Sequence, residues 1–377
     1  METSWMDRDK EGIHVFVAWR DLRFARGRFV LIGSVVALIT LLVGFLAGLT
    51  GGLASQNVSA VLQLPGDRLV LRQPATGAPS FADSAVSSKT VEAWERADGV
   101  DAVVPIGIVQ GRATGSSEPT AVTLLGIPHG IVDGAGGPSG ITDLAPSRDD
   151  EIGLSSGAAD RLGVGRGDQV TIAATTYEVT IVGTDLWFSH SPVVVLSPAA
   201  WAVADRSLGG TGAVTVLAVS GDPDWGRLAG TTHTTASTRL ASLTALETFK
   251  SEVGSLGLMI AMLFGVSALV VGAFFTVWTM QRAGDVAVLK ALGASTGSLV
   301  RDALGQALVV LVAGIGAGLL AVVALGRLAA DALPFLLSPL TTVAPGIAMI
   351  ALGLAGAAVA LRTVTSSDPL AALGSNR

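Results

Sequence analysis

Four long apolar stretches dominate the pattern of hydrophobic and polar positions along the chain. They lie at 29–49, 253–281, 303–326 and 341–361, and none of them has a charged residue at its centre. About 20 helical residues, each rising about 1.5 Å, cross the hydrocarbon core of a bilayer, so each stretch is long enough for one span. The pattern therefore predicts four transmembrane helices.

The interval between the first two stretches, 50–252, has a different pattern. Short runs rich in Val, Ile and Thr alternate with amphipathic segments and with turns that contain Gly, Pro or Asp, which is typical of an α/β domain. The runs predicted as strands are 67–72, 99–109, 121–127, 168–174, 177–183, 192–196 and 212–219. The segments predicted as helices are 90–98, 156–162, 198–205 and 237–253, the last continuing into the second span. The predicted fold is an α-helical membrane protein with four transmembrane helices and an α/β extracytoplasmic domain inserted between the first and second helices.

Basic residues are concentrated on one side of the apolar stretches. Arg20, Arg23, Arg26 and Arg28 precede the first stretch, and the segment between the second and third carries three more basic residues. Because loops rich in Lys and Arg stay in the cytoplasm, we expect a cell-membrane protein with both termini cytoplasmic and 50–252 outside. The remaining segments are then a cytoplasmic N-terminus at 1–28, a cytoplasmic loop at 282–302, an outer loop at 327–340 and a cytoplasmic C-terminus at 362–377.

The composition agrees with a membrane protein and excludes several other kinds of structure and site. Of 377 residues, 50% are hydrophobic and only 14% are charged, and the mean hydropathy is +0.60. The chain has no cysteine, which excludes disulfides and thiolate metal sites. A net charge of −6 offers no basic surface for nucleic acid.

Residues for catalysis or for binding a cofactor are not arranged in any recognisable motif. A phosphate-binding loop needs a lysine directly after a glycine, and no lysine of this chain follows one. Asp185 and His190 resemble a hydrolase pair only loosely, and placement in a loop explains them better. We therefore predict no enzyme, no metal site and no cofactor in this chain. The histidines are scattered, at His14, His129, His190 and His233.

Glycines inside the spans indicate where helices approach closely. Gly44 and Gly48 in the first span, and Gly314 and Gly318 in the third, have the small-xxx-small spacing that brings helix backbones together in lipid. The alternative is that glycine is simply frequent in spanning helices. The absence of a charged residue at membrane depth argues against an ion-coupled transporter, so the energy for any transport must come from elsewhere.

The segment QRAGDVAVLKALGAS, at 281–295, is long and helix-prone for a connection between two spans. Its Val286, Val288, Leu289 and Leu292 form an apolar surface on a short helix. Such a helix suits a groove on another protein, and it equally suits the surface of the membrane. Periodicity leaves both interpretations open.

This segment resembles the cytoplasmic loop of the FtsX-like family of ABC transporter permeases, of the macrolide-exporter and lipoprotein-release type. The family pattern is Arg, a few polar residues and then IAVLRALGAS, which Arg282 and 286–295 match except that Val286 replaces an isoleucine and Lys290 replaces an arginine. A stretch at 151–172 and the sequence SSDPLAAL at 366–373 also resemble family segments. The chain departs from the pattern at Gly284-Asp285, where the family often has Arg or Glu.

The resemblance implies a homodimeric permease that binds two copies of a separate ABC ATPase, which would hold the ATP and Mg. In this mechanotransmission type, ATP-driven closure of the ATPases moves the cytoplasmic loop, and the spans pass the movement to the outer domain. By the same resemblance, 12–24 is an amphipathic helix on the inner membrane surface. The implied ATPase-coupling residues are Arg282, Asp285, Val288, Leu289, Lys290, Leu292 and Gly293.

The substrate is inferred from a subgroup of the same family. LAGLTGGLASQN, at 46–57 around the end of the first span, resembles permeases that include haem-efflux subunits, which implies export of a hydrophobic or amphipathic compound such as haem. Met259 and Met262, with Glu252 beside them in the sequence, are the candidate substrate-binding residues; the alternative is that the methionines only fill space. The alternative function is a permease that transports nothing and transmits force to an extracytoplasmic partner such as a cell-wall hydrolase. For that function, Trp187-Phe188 is either an exposed docking patch or a buried strand end.

Overall fold

The protein is described by a computed structural model over residues 26–131, 140–281, 284, 288, 293, 295–329 and 333–365. The chain divides into two compact units. The helical unit consists of the residues up to Gly52 and from Ser255 onward, and the outer unit is Leu53–Gly254. The described residues contain four helices long and apolar enough to cross a membrane, and the β-rich unit lies between the first and second of them in the sequence. The predicted fold class is confirmed.

The helices whose bounds lie within the described residues are α1 (Arg26–Leu62), α2 (Ser88–Glu95), α3 (Ser156–Leu162), α4 (Pro198–Ser207), α5 (Trp225–Thr231), α6 (Arg239–Ser242), α7 (Glu247–Gln281), α8 (Thr296–Ala329) and α9 (Pro339–Thr365). The strands are β1 (Arg68–Arg72), β2 (Val100–Thr114), β3 (Thr120–Gly126), β4 (Glu151–Ser155), β5 (Gln169–Ile172), β6 (Thr175–Gly183), β7 (Trp187–Phe188), β8 (Ser191–Leu196), β9 (Val216–Gly221) and β10 (Thr234–Thr238).

The spanning helices α1, α7, α8 and α9 extend beyond the apolar stretches. Helix α1 continues past residue 49 to Leu62, and α7 begins at Glu247 rather than at 253. The sequence explains the first extension, because no proline interrupts the chain between residue 49 and Pro65. Hydropathy marks only the part of a helix that lipid can cover, so it underestimates helices that continue into a polar domain.

The long strand β2 belongs to two sheets. Its first half pairs antiparallel with β9, and β1 and β10 complete an open four-stranded sheet in the order β10-β1-β9-β2. Its second half begins a closed ring of six strands in the order β2-β3-β8-β4-β6-β5. The ring closes because Ala113 of β2 pairs with Ile172 of β5. Closure removes the free edges that an open sheet exposes.

The ring has its own hydrophobic core, which includes Leu124, Ile152, Val179 and Trp201. Trp201, on α4, is 2% exposed. Its ring lies flat on Gly107 and Gly126, which face each other across β2 and β3 and where any Cβ atom would clash with the indole. The two glycines thus create the space for the largest side chain of this core.

The open sheet is covered on one face by α2 and α5. Trp94 of α2 is completely buried and packs against Trp225 of α5, with 6.0 Å between ring centroids. The guanidinium of Arg68 lies 4.8 Å from the centroid of Trp225. Ser87 begins α2 by accepting a hydrogen bond from the amide of Thr90.

The prediction of a single helix over 237–253 is wrong. This segment contains the end of β10, the short helix α6, a turn of 3-10 helix at Leu243–Ala245 and only then the start of α7. Thr238 caps α6, and Leu246 is extended, with φ −90° and ψ 111°, which breaks the helix before Glu247. The helical periodicity of the sequence is present on both sides of that break, so it did not reveal the break.

Candidate functional site

The most exposed apolar surface of the helical unit lies on α7. In the most apolar 18 residues of α7, only 11% are buried. The corresponding share is 33% in α1 and in α8. Met259 and Met262 are 53% and 63% exposed. The same face continues through Val266, Leu269, Val277 and Met280, at intervals of three, four or eight residues. These intervals place all six side chains along one stripe of the helix.

Helix α7 also has a row of small residues, on a different side from this stripe. Gly257, Ala261 and Gly265 are all exposed and lie four residues apart on α7. A Cβ atom built at either glycine meets nothing within 4 Å. Small residues at this spacing allow another helix backbone to approach closely. Sequence reasoning missed this motif, although its spacing is the same as that of the glycine pairs it did identify.

The glycine pairs of the first and third spans lie differently. A Cβ atom at Gly318 would be 2.6 Å from the carbonyl oxygen of Ala37 and 2.6 Å from Cβ of Thr40. At Gly314 it would be 2.9 Å from the carbonyl oxygen of Gly33. These two glycines therefore lie directly against the backbone of α1.

The two glycines predicted on α1 face other groups. A Cβ atom at Gly44 would lie 2.8 Å from Cγ2 of Val322, and Gly48 lies under the ring of Phe335. That ring also stacks with Phe45, at 5.0 Å between centroids. The backbone amide of Leu336 donates to the carbonyl of Gly48 at 3.0 Å. The segment after α8 is thus held against the glycine face of α1.

The coupling segment is described at only a few positions. Arg282, Asp285, Leu289, Lys290 and Leu292 lie outside the described residues, as do 12–24 and 366–373. Gly284 and Val288 are helical, and the side chain of Val288 is 60% exposed.

The end of this segment has a clear turn geometry. Gly293 has φ +93°, in the region where a side chain is strained, which suits the residue that ends a helix. The hydroxyl of Ser295 then accepts a hydrogen bond from the amide of Ser298 at 3.2 Å, within the first turn of α8. The sequence LGAS thus contains a glycine in the left-handed region and the serine that caps the start of α8.

Glu252 lies in a hydrogen-bonded group of the outer unit. One carboxylate oxygen is 2.8 Å from Nε2 of His190, and the other accepts from Nδ2 of Asn57 at 3.3 Å. The side chains of His190 and Glu252 are 31% and 35% exposed, whereas Asn57 is completely buried. Oδ1 of Asn57 accepts from the hydroxyl of Thr248 at 2.9 Å, and Thr248 is 3.0 Å from the hydroxyl of Ser189. We call Asn57, Ser189, His190, Thr248 and Glu252 the outer clamp.

The outer clamp joins three elements of the outer unit that are distant in sequence. Asn57 lies near the end of α1, Ser189 and His190 form the turn between β7 and β8, and Thr248 and Glu252 lie in the first turns of α7. Sequence reasoning selected His190 and Glu252 separately and missed Asn57 and Thr248. It also considered Asp185 with His190, but Asp185 accepts a 2.6 Å bond from the indole of Trp187 instead.

Within the described residues, no group of three His, Asp or Glu side chains is arranged to hold a metal ion. Nδ1 of His129 lies 3.0 Å from the carbonyl oxygen of Ala145. His14 lies outside the described residues. Trp187 and Phe188 are each only 6% exposed, so the pair is a buried strand end rather than an exposed patch.

Comparison with known proteins agrees with this architecture. Residues 257–369 match the family described as FtsX-like permease C-terminal. A putative hemin transport system permease protein HrtB of Staphylococcus haemolyticus is 23% identical over 369 residues, which cover 95% of this chain and 99% of that protein. An uncharacterised ABC transporter permease of Mycobacterium bovis is 27% identical over 368 residues, covering 96% of this chain and 99% of that protein.

The periplasmic region of MacB from Actinobacillus actinomycetemcomitans is also similar, with a TM-score of 0.34 and 12% identity over 46% of this chain and 89% of that one. The family match falls on the three spans after the outer unit and on the segment between the first two of them. The relatives extend the similarity across the outer unit to nearly the whole chain. The chain is therefore similar over nearly its whole length to permeases of ABC transporters, and its last three spans match the FtsX-like permease model.

Proposed function

We propose that this chain is the permease subunit of a mechanotransmission ABC transporter that exports a hydrophobic or amphipathic compound, with haem as the leading substrate. The observation that carries the proposal is the exposed apolar stripe of α7, which includes Met259 and Met262. A spanning helix with this surface suits the entry of an apolar molecule from the membrane. ATP supplies the energy through a separate ATPase.

A second face of α7, apart from the stripe, supports a homodimer. Gly257, Ala261 and Gly265 form a small-residue face that nothing in the described part of the chain fills. In lipid, apolar burial does not drive association, so helices associate where small residues allow close backbone contact. A second copy of α7 fits this face, which lies about 120° around the helix from the stripe that contains the methionines.

Two ATPase subunits, which would hold the ATP and Mg, bind the cytoplasmic segment in this proposal. Its exposed Val288 offers an apolar contact, and the turn at Gly293 fixes the direction in which α8 leaves. The coupling residues are those implied by the resemblance. The termini are cytoplasmic and the outer unit lies outside the cell membrane, in accordance with the basic residues near the first span.

Haem is favoured by the chemistry of the stripe. A thioether is one of the few side-chain groups that bind haem iron, and methionine also adapts to flat apolar ligands. Both oxygens of Glu252 already have hydrogen-bond partners. We therefore assign the ligand role to Met259 and Met262. The name of the staphylococcal relatives supports the choice of haem, at 22–23% identity.

The test uses the permease purified with its genomically adjacent ATPase in lipid discs. Haemin is titrated while the Soret band and the ATPase rate are recorded for the unchanged chain and for Met259→Ala/Met262→Ala. Met280→Ala is the matched control, because Met280 is 64% exposed on the same stripe. A saturable shift that only the double variant loses supports a haem pump. If ATPase activity is intact but no shift appears, haem is not the substrate, and other amphiphiles are titrated next.

The alternative function, force transmission to a wall hydrolase without transport, gains no support from Trp187-Phe188. Both side chains are buried. The larger exposed apolar side chains of the outer unit include Val182, Val203, Leu208 and Leu240, which come from separate elements or turns. Isolated exposed apolar residues are normal on a protein surface and do not indicate a docking site.

A further inference from the structure

The outer clamp is a directed chain of hydrogen bonds. An ionised carboxylate only accepts hydrogen bonds, so the amide nitrogen of Asn57 must face Glu252. Oδ1 of Asn57 then faces Thr248, whose hydroxyl donates its proton to it. Because that proton is used, Ser189 must donate to Thr248 across their 3.0 Å contact. Each group therefore has one defined role. Because Asn57 at the centre is completely buried, leaving its amide without partners would be costly.

The turn of the hairpin is held in a strained conformation by α1. Ser189 and His190 have φ of 50° and 66°, values that a two-residue hairpin turn requires and that Asn-Gly would adopt with less strain. Their amides donate to the carbonyls of Asn57 and Gln56, both at 2.9 Å. Ser59 adds bonds to the backbone of Trp187, at 2.8 Å to its amide and 3.3 Å to its carbonyl. The end of α1 and the hairpin are thus joined by backbone and side-chain bonds.

The hairpin is continuous with the ring of strands. Trp187 and Phe188 pair with the start of β8. Strand β8 in turn lies between β3 and β4 in the ring. A displacement of His190 is therefore transmitted through β8 to the core of the outer unit. The link from α7 to this route consists of Thr248 and Glu252.

We propose that Asn57 is a positioning residue of the transport cycle, which makes the end of α1, the start of α7 and the β7–β8 hairpin move as one body. Movement of α7 then reaches the outer unit instead of being lost as sliding between the two helices. The proposal rests on the proposed function, because it assigns the step by which ATP-driven movement leaves the spanning helices. It adds a residue and a route that neither the family match nor the relatives indicate.

The geometry favours a permanent clamp over a latch that opens in each cycle. Asn57 is completely buried, and its amide uses both its oxygen and its nitrogen within the clamp. Opening would leave this side chain unpaired away from water, which is costly. Around this buried side chain, Ser189, His190 and Glu252 are half-buried and Thr248 is exposed, so solvent reaches only the periphery of the clamp.

The test uses the permease–ATPase complex in lipid discs and a single spin label. The chain has no cysteine, so Val203→Cys provides a unique labelling site. Val203 is 49% exposed on α4, whose Trp201 is buried in the ring core. The signal is the change that ATP with vanadate produces in the distance between the labels of the two copies. ATPase rate and thermal stability are measured on the same samples.

Asn57→Leu keeps the approximate volume of the side chain and removes both of its hydrogen bonds. We expect the ATPase rate to stay within about two-fold and the ATP-dependent label signal to fall at least about five-fold, because the clamp joins the ends of α1 and α7 to the hairpin within the outer unit. If Asn57→Leu does not fold, Thr248→Val removes the bonds of Thr248 to Asn57 and Ser189 and leaves the Asn57–Glu252 bond in place. Thr248→Ser keeps the hydroxyl and is expected to restore the signal.

The outcomes separate the inference from the proposed function. If the chain with an intact clamp shows no ATP-dependent signal, both fail together. An intact-clamp signal that Asn57→Leu and Thr248→Val leave unchanged overturns only the clamp. A parallel loss of stability, ATPase rate and signal in both variants means that Asn57 is merely structural, which also overturns the inference.

Discussion

Two small-residue faces in the helical unit have the same spacing and opposite surroundings. On α8, Gly314 and Gly318 lie against the backbone of α1, where a Cβ atom would clash. On α7, Gly257 and Gly265 meet nothing within 4 Å. The spacing alone therefore identifies a face suited to helix contact, but the partner depends on the rest of the fold. The first face builds one chain, and we infer that the second joins two.

The largest effect is expected from filling the occupied face. Gly318→Ala places a methyl group 2.6 Å from the carbonyl oxygen of Ala37, and overpacking of this kind costs about 1–3 kcal/mol. Gly316→Ala is the matched control, because Gly316 has no neighbour within 4 Å and alanine is a better helix former. Thermal unfolding in detergent should show a lower midpoint for Gly318→Ala and an equal or higher one for Gly316→Ala. Equal losses would mean that α1 does not contact α8 here.

Filling the empty face should change assembly and leave the fold intact. Gly265→Leu blocks close approach of a second α7, so we expect a well-folded monomer where the unchanged chain forms a dimer. Gly316→Leu controls for the added side chain. The mass of the detergent-solubilised protein, measured by light scattering, distinguishes the two states. A dimer that survives Gly265→Leu would assign the face to lipid, and the comparison between the two faces would fail.

A smaller effect is expected at the turn just before α8, where Gly293 lies. Gly293→Ala forces a side chain into a left-handed conformation, at a cost of about 1 kcal/mol, and should reduce ATPase stimulation by the permease. Gly284→Ala, at a helical position with no neighbour within 4 Å, should be neutral or slightly stabilising. The two variants are compared by ATPase rate and unfolding midpoint. Equal behaviour would contradict a fixed turn at Gly293.

The smallest effect concerns the outer unit and leaves both helix faces unchanged. Burial raises the pKa of Tyr177, the negative charge of Asp149 adds to the rise, and a hydrogen bond with Thr175 opposes it. Because the folded pKa is the higher one, the associated stability is complete below the ordinary value of about 10 and is lost as pH rises through the folded pKa. Tyr177→Phe should therefore lose less stability than the unchanged chain between neutral and strongly alkaline pH. The unfolding midpoint across this range tests the sign, and identical curves would contradict it.

Much of this fold is predictable because its signals are local. The apolar length of each span and the Val-rich runs of the outer unit are visible within windows of a few residues. The closure of the ring is not visible, since Ala113 and Ile172 pair across a long stretch of chain. The break at Leu246 was missed because helical residues lie on both sides of it.

Residues of the candidate site also differ in whether a local signal in the sequence reveals them. Met259 and Met262 were selected from the sequence by their residue type and position in a span, and their role in binding stays a prediction. The outer clamp was only half identified, since Asn57 and Thr248 are ordinary polar residues until the fold brings them together. Nothing in the neighbourhood of Asn57 in the sequence distinguishes it from Gln56, which contributes only its backbone carbonyl to the hairpin.

The shared strand β2 also determines how this protein can be recombined with its relatives. One half of β2 supplies hydrogen bonds to the open sheet and the other half to the closed ring, without an intervening linker. An exchange of the ring alone would cut a strand that both sheets need, so chimaeras joined within β2 should misfold. Junctions that keep the outer unit whole, near Leu53 and Gly254, leave every one of its described strands intact. The natural module for exchange is therefore the entire outer unit.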